Sequence, residues 1–137
     1  MKIKIKKLKA KAPTPKYAKE GDAGMDLTVM SIEQHGQMVT YGSGIAMEIP
    51  EGHVGMLFAR SSVYKTDMIL SNCVGIIDSG YRGEISAKFY SPKGPGYAEG
   101  ERFAQIVIMP YPKVEFKVVK KLSKTERGEG GYGSSGR

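Results

Sequence analysis

Frequent glycine and proline breaks limit this chain to short secondary-structure elements. Its 137 residues include 18 glycines and 7 prolines, and the segments between them are short and rich in Ile, Val, Met, Phe and Tyr. No segment keeps an apolar period of 3.6 residues over three turns, as an amphipathic helix does. Short apolar segments at regular spacing, separated by turn residues, are typical of antiparallel β-structure. We therefore predict an all-β domain, a jelly-roll-like barrel of antiparallel strands.

The strand boundaries are predicted from the same pattern. Residues 2–8 alternate lysine with isoleucine, as a strand with one wet and one dry face does. A helical turn is predicted only at residues 61–66. The other strands are predicted at 25–30, 37–41, 44–49, 53–59, 68–70, 74–77, 84–90, 103–109 and 114–120.

The composition changes abruptly after Thr125. Residues 126–137 are mainly glycine, serine and charged residues, a composition that cannot form a core. A chain of this length is most simply a single domain. We expect a β-barrel domain at 1–125, followed by a flexible tail at 126–137.

The charge balance and the single cysteine limit the partners and the compartment. The chain carries 21 basic and 14 acidic residues, a net charge of +7, and residues 1–19 hold eight lysines and no acid. Such a balance favours an anionic partner: a nucleotide, a nucleic acid or a membrane surface. Cys73 is the only cysteine, so no intrachain disulfide can form, and its apolar surroundings predict packing rather than reactivity. Without a signal peptide or a membrane span, we expect a soluble cytoplasmic protein.

Asp78 lies between the apolar segment 74–77 and a turn sequence, Asp-Ser-Gly. A carboxylate in that place is partly desolvated and held by a hairpin, as a positioned general base should be. The same three residues are also ordinary turn chemistry, because Asp caps its own backbone and Gly accepts a positive φ. The three residues alone do not decide between a base and a turn residue.

Four further patterns carry groups suited to an anionic ligand or its metal ion. Arg60 with two serines after an apolar strand offers a phosphate-binding fork and hydroxyl donors, or a solvated surface turn. Asp26 begins a strand and offers the hard oxygen that Mg²⁺ prefers, while the nearby Asp22 is expected to be a turn residue. Gln105 lies within an apolar strand, so its amide must either bridge strands or point into a polar site. The glycine-rich tail carries Arg127 and two serines, and it could wrap phosphates or bind nucleic acid.

In their order along the chain, these patterns resemble the five motifs of the trimeric deoxyuridine triphosphatases (dUTPases). The resemblance runs from about Ala23 to the C-terminus. It implies the dUTPase-like β-clip fold and a homotrimer whose three sites each draw on three subunits. It also implies Mg²⁺-dependent hydrolysis of dUTP to dUMP and pyrophosphate, which keeps uracil out of DNA and supplies dUMP. The matching segments are Ala23-Gly-Met-Asp-Leu27, Arg60-Ser-Ser62, Gly75-Ile-Ile-Asp-Ser-Gly-Tyr-Arg-Gly83, Gly100-Glu-Arg-Phe-Ala-Gln105 and Arg127-Gly-Glu-Gly-Gly-Tyr-Gly-Ser-Ser135.

The resemblance also implies a role for each matching residue. Asp78 corresponds to the base that activates a water for attack on the α-phosphorus, and Asp26 to the carboxylate that holds the metal ion through water. Tyr81 would lie under the deoxyribose. The tail would close over the site. The implied substrate contacts are Arg60, Ser61, Ser62, Asn72, Gly75, Ile77, Tyr81, Gln105, Arg127, Tyr132, Gly133, Ser134 and Ser135.

Two alternatives stay open on the sequence. A dCTP deaminase of the same fold would need a glutamate in the hairpin, and residues 75–81 contain none. A non-catalytic regulator could bind a nucleotide, or nucleic acid through the basic first strand and the tail. The joint presence of Asp78, Asp26, Arg60, Gln105 and Arg127 favours an enzyme acting on free dUTP, with no membrane or nucleic-acid partner expected. Gly80 departs from the family pattern, which often has Asp at this position.

Overall fold

The computed structural model describes residues 1–136, and antiparallel strands make up most of their regular structure. Within that range the only helical element is a short 3₁₀ helix at Ser61–Lys65, where a helical turn is predicted. No helix there is long and apolar enough to span a bilayer. The strands are β1 Lys4–Lys7, β2 Met25–Thr28, β3 Ser31–His35, β4 Met38–Gly42, β5 Ile45–Glu48, β6 His53–Ala59, β7 Ile69–Leu70, β8 Val74–Ile77, β9 Ser86–Tyr90 and β10 Arg102–Pro110. The all-β prediction is confirmed.

The strands form three sheets. A two-stranded sheet pairs β1 with β5, one four-stranded sheet has the order β2-β10-β6-β8, and another has the order β3-β4-β9-β7. Every pairing is antiparallel, as in the predicted jelly-roll-like barrel. Both β1 and β8 are edge strands, so each has one row of backbone groups without a partner strand in its sheet.

The core is formed by side chains that alternate inward from the sheets. Tyr41 lies at its centre, fully buried, with ring centroids 5.7 Å from Phe89 and Tyr97 and 5.6 Å from Phe103. Its hydroxyl accepts hydrogen bonds from the backbone N–H groups of Gly96 at 3.0 Å and Tyr97 at 3.2 Å. Since a buried N–H needs a partner, these bonds fix the loop that leads into β10.

A bulge in β10 changes which of its side chains share a face. Arg102 pairs with Thr28 and Ala104 pairs with Leu27, so Phe103 is an extra residue on the β10 side. Phe103 and Ala104 are both fully buried. In a regular strand Arg102 and Gln105, three residues apart, would point to opposite faces. The extra residue places both on the face of β2 that carries Asp26, the partner of Gln105.

Residues 111–125 form an exposed arm without regular structure, in place of the strand predicted at 114–120. The apolar side chains of Val114, Phe116 and Val118 are 62%, 91% and 97% exposed. No strand among the described residues pairs with this arm. The prediction was wrong for a physical reason: the apolar alternation is present, but no described strand of the chain pairs with this segment.

Two smaller predictions were also wrong. The strand β3 was missed because Ser31-Ile-Glu-Gln-His35 holds one apolar residue; it is an edge strand whose side chains are largely exposed. Cys73 is exposed rather than packed. It lies in the turn before β8 with a φ of 59°, and its N–H donates to the Leu70 carbonyl, so it does not continue the apolar strand.

Candidate active site

Three of the sequence motifs meet in one cavity of about 450 Å³, here called the Asp26 cavity. Asp26 comes from β2, Gln105 from β10, and Arg60 and Ser61 from the end of β6 and the start of the 3₁₀ helix. The strand order places β2, β10 and β6 side by side, so residues far apart in sequence meet at one end of the sheet. The full lining is Ala18, Asp22, Ala23, Gly24, Asp26, Phe58, Arg60, Ser61, Arg102, Gln105 and Val107.

Two arginines hold the Asp26 carboxylate in this cavity. Arg60 Nε donates to Asp26 Oδ1 at 3.0 Å, and Arg102 Nη1 donates to Asp26 Oδ2 at 3.0 Å. Asp26 is about one quarter exposed, so these pairs are less screened than pairs on the open surface. Asp26, Arg60 and Arg102 together carry a net positive charge. An anion site requires such a charge and hydrogen-bond donors, and the Ser61 hydroxyl beside them is a further donor. Asp22 accepts the Lys19 N–H at 2.8 Å, as a turn residue should.

Gln105 satisfies both predictions made for its amide. Its Nε2 donates to the Ala59 carbonyl of the neighbouring strand at 3.3 Å, and the side chain also lines the Asp26 cavity. The amide lies directly over Gly24. A Cβ at Gly24 would overlap Gln105 Oε1 and lie 3.2 Å from Gln105 Cδ. Glycine is therefore needed here to make room for the amide.

Asp78 follows β8 and begins a turn, as the turn interpretation predicts, but its side chain does not cap the backbone within residues 1–136 and Gly80 has no positive φ. Its carbonyl accepts the N–H of Tyr81 at 3.0 Å. Arg82 Nη1 donates to the carbonyls of Ser79 at 2.7 Å and Tyr81 at 2.9 Å, which braces the turn. The Asp78 side chain is exposed, and it makes no ion pair or hydrogen bond within residues 1–136. The turn thus presents a free carboxylate to incoming molecules.

The Tyr81 ring lies across the same turn. Its hydroxyl donates to the Glu84 carbonyl at 3.1 Å, and the ring lies over Gly83, where a Cβ would come within 2.9 Å of Tyr81 Cε2. The side chain is 44% exposed. A fixed, half-exposed aromatic face stands three residues after Asp78.

A second cavity of about 330 Å³, here called the Asn72 cavity, lies beside β8. It is lined by Asn72, Gly75 and Leu57, with residues of β9 opposite. Because β8 is an edge strand, backbone groups from Val74 to Ile77 face away from β6 and have no strand partner in the sheet. A flat polar ring entering this cavity would find the Asn72 amide and free backbone donors and acceptors.

The structure does not bring Asp78 to the Asp26 cavity within one chain. Ile77, the residue before Asp78, pairs with Gly55, and Arg60 lies five residues beyond Gly55. At about 3.3 Å per residue, Asp78 and Arg60 are roughly 17–20 Å apart, at opposite ends of β6. The predicted site therefore falls into two halves.

The tail residues contact neither half. Every hydrogen bond of residues 126–136 is local, such as Arg127 Nε to the Gly130 carbonyl at 3.0 Å and Ser134 N–H to the Gly131 carbonyl at 3.1 Å. Tyr132 is fully exposed. The other predicted contacts of the tail, Gly133 and Ser135, lie in the same run of turns. Arg137 lies outside the described residues.

Ser62 points away from the Asp26 cavity. Its Oγ accepts from Arg60 Nη1 at 3.5 Å, and it lines a neighbouring cavity with the buried Tyr97. Burial raises the pKa of the Tyr97 hydroxyl, and the charge of Arg60 opposes that shift. Within residues 1–136 this hydroxyl has no hydrogen-bond partner. Arg60 thus lies between a polar cavity on one side and a buried phenol on the other.

Arg102 and Gly24 are the site residues that sequence reasoning missed. Both lie inside quoted motifs, yet neither was given a role. The signal for Arg102 was its place three residues before Gln105, but only the bulge puts the two side chains on one face. Gly24 could have been suspected from glycine directly before a strand, where close packing against a side chain excludes a Cβ.

Comparison with known proteins identifies the family. A family model described as dUTPase matches residues 10–136. The chain is 40% identical over 140 residues to the deoxyuridine 5′-triphosphate nucleotidohydrolase of Clostridium tetani, covering 98% of this chain and 97% of the relative. It is 39% identical to that of Idiomarina loihiensis, covering 91% and 88%. A solved dUTPase variant of Staphylococcus bacteriophage 80alpha with dUpNHpp superposes with a TM-score of 0.86 at 27% identity, over 99% of each chain. The chain belongs to the dUTPase family.

Proposed function

We propose that this protein is a dUTP diphosphatase, which hydrolyses dUTP to dUMP and pyrophosphate. The observation that carries the proposal is the Asp26 cavity. It gathers Asp26, Arg60, Ser61 and Gln105, residues from three motifs of the family, around one polar space. Arginine forks and hydroxyls match phosphate oxygens in geometry and charge. The cavity is suited to the triphosphate of a nucleotide.

The other half of the site suits the base and the sugar. Asn72 and the free edge of β8, with Gly75 and Ile77, offer the donors and acceptors that uracil pairs with. A site built on hydrogen bonds rejects cytosine strongly, because the wrong edge leaves buried polar groups unpaired. The Tyr81 ring beneath the deoxyribose would leave no room for a 2′-hydroxyl.

Asp78 would act on the attacking water. The carboxylate accepts a proton from the water as its oxygen bonds to the α-phosphorus, and the bond from that phosphorus to the bridging oxygen breaks. Pyrophosphate leaves with the electron pair. Arg60, Ser61 and Gln105 stabilise the charge that develops on the leaving group.

The residues present fit a magnesium ion held mainly by the substrate. Within residues 1–136, no three His, Cys, Asp or Glu side chains are grouped as a protein-built metal site needs. Mg²⁺ in phosphoryl-transfer sites keeps several waters and takes one or two carboxylates plus phosphate oxygens. Asp26, the carboxylate between the two arginines, would hold it through water. When bound, the ion neutralises charge on the phosphate oxygens.

The separation of the two halves supports a homotrimer with composite sites. Asp78 and the Asp26 cavity lie too far apart to act on one nucleotide within a chain. The exposed apolar arm at 111–125 supplies a surface that a neighbouring subunit would cover. We propose that each site takes its phosphate half from one subunit, its hairpin from a second and its tail, with Arg127, Tyr132, Gly133, Ser134 and Ser135, from a third. Residues 1–125 are then the folded body and 126–137 the closing segment. The single cysteine suits a cytoplasmic setting.

The substrate assignment is tested by pyrophosphate release from dUTP, dCTP, dTTP and UTP, each with and without Mg²⁺. We expect rapid release from dUTP alone and only with Mg²⁺. Ammonia release from dCTP would instead indicate the deaminase relative. Binding of nucleotide without any turnover would indicate the regulator.

The composite site is tested by subunit mixing. Asp26→Asn and Asp78→Asn each damage a different half, so each variant alone should be inactive. When the two variants are co-refolded in equal amounts, each carboxylate of a composite site has a chance of about one half of being the native residue. About a quarter of the sites therefore contain both Asp26 and Asp78. Light scattering should give about 45 kDa, three chains of 14.9 kDa. No recovered activity, or a clean monomer, would contradict the composite site.

A further inference from the structure

The Asp26 network raises a question that the proposed function does not settle. Arg60 is needed by the phosphates, and Asp26 is needed by the hydrated metal ion, yet Arg60 Nε and Asp26 Oδ1 are paired at 3.0 Å. Arg60 Nη1 is also turned to Ser62 within the chain. The substrate phosphates would compete with Asp26 for the Arg60 guanidinium, and an exchange of partners would free one oxygen of Asp26.

The two arginines that bind Asp26 differ in secondary structure: one lies in a strand and the other in a connection between elements. Arg102 belongs to β10 and pairs with Thr28, two residues from Asp26, so Arg102 and Asp26 are diagonal neighbours on one face of the sheet. Arg60 lies outside the strands, at the start of the 3₁₀ helix, where its side chain makes no capping bond. Side-chain pairs within a sheet are held by its register, whereas a residue in a connection is held only by its own contacts.

We infer that Arg102 is a positioning residue, which keeps the Asp26 carboxylate oriented for the hydrated magnesium ion while Arg60 leaves Asp26 for the phosphates. The inference rests on the proposed function and goes beyond it. The β10 bulge brings Arg102 onto this face beside Gln105, so the sheet itself supplies the support. After the exchange Asp26 still accepts one guanidinium N–H, and its other oxygen is free for a metal-bound water.

The test compares Arg102→Gln with Arg102→Lys, and Lys93→Gln is the matched control. Lys93 is an exposed cation with one ion pair, to Asp67, and it lines neither half of the site. Calorimetry measures the affinity for dUpNHpp with and without Mg²⁺. In the wild-type protein and the control we expect Mg²⁺ to strengthen binding. In Arg102→Gln the gain in dUpNHpp affinity caused by Mg²⁺ should fall about tenfold. In Arg102→Lys this gain should return to within about threefold of the wild-type gain.

Turnover measurements distinguish a failure of the Arg102 inference from a failure of the proposed function. The half-saturating Mg²⁺ concentration for dUTP hydrolysis should rise about tenfold in Arg102→Gln, while the melting temperature changes little because Arg102 is half exposed. An unchanged Mg²⁺ gain would overturn the inference. So would weaker dUpNHpp binding in the absence of Mg²⁺, since Arg102 would then be a phosphate ligand. If the wild-type protein binds the analogue but does not hydrolyse dUTP, the proposed function fails instead.

Discussion

Replacing Gly24 with alanine should damage activity far more than stability. A Cβ at Gly24 overlaps Gln105 Oε1, which must move by roughly 1 Å to regain ordinary contact. Because Oε1 is the end of a flexible side chain, the amide can swing aside. The cost is the bond from Gln105 Nε2 to the Ala59 carbonyl, already long at 3.3 Å and worth about 1 kcal/mol. Gly24 has no positive φ, so alanine returns about 0.4–1 kcal/mol by restricting the unfolded chain.

These terms nearly cancel, so the thermal midpoint should stay within about 4 °C of wild type. The amide, however, is displaced from its place in the Asp26 cavity. A misplacement of about 1 Å can cost on the order of 100-fold in rate. We expect kcat/KM for dUTP to fall about 10- to 100-fold, measured by pyrophosphate release.

A double-mutant cycle decides whether the effect passes through Gln105. If it does, Gly24→Ala should add little to the loss already caused by Gln105→Ala. Additive losses would show that Gly24 acts by another route. A Gly24→Ala protein with wild-type kcat/KM would refute the steric reasoning altogether.

Three further results are expected. Asp78→Asn, which removes the only carboxylate of residues 75–81, should leave less than a few per cent of turnover, with dUpNHpp affinity within about tenfold of wild type; substantial residual turnover would rule out Asp78 as the base. Deleting 126–137 should leave the melting temperature unchanged, because the tail's hydrogen bonds are local, but lower kcat at least about tenfold; full activity in the truncated protein would remove the tail from the mechanism. Tyr41→Phe should lower the free energy of unfolding by about 2 kcal/mol in urea, because the N–H groups of Gly96 and Tyr97 lose their acceptor; an unchanged urea midpoint would show that both find another.

The pattern of residues along the chain was sufficient to predict a strand where the strand's own residues determine its boundaries. The strands 53–59 and 74–77 were predicted with the boundaries that the structure has, since both are bounded by turn residues and carry strong β-formers. The turn at Asp78 could likewise be predicted from the residues that form it. The chemistry of Asp26, Arg60, Ser61 and Gln105 could be proposed because each polar group interrupts or ends an apolar strand.

What could not be predicted depends on partner strands. The bulge at Phe103 exists only relative to β2, so no property of the β10 sequence places Arg102 beside Asp26. The register of β8 against β6 sets the distance between Asp78 and Arg60, and a strand's own residues do not reveal its register. The segment 114–120 has the alternation of a strand, but a strand also needs a hydrogen-bonded neighbour, and none of the described strands pairs with it.

In the proposed homotrimer, that unpaired arm would make the rate per chain depend on the protein concentration. If subunits must meet before Asp78 and Asp26 can share a nucleotide, a dilute preparation contains intact folded chains that do not turn over substrate. Near the dissociation constant, halving the protein concentration would lower the rate more than twofold, because assembly follows mass action. The exposed side chains of Val114, Phe116 and Val118 would then help to set the range of protein concentration over which activity is lost.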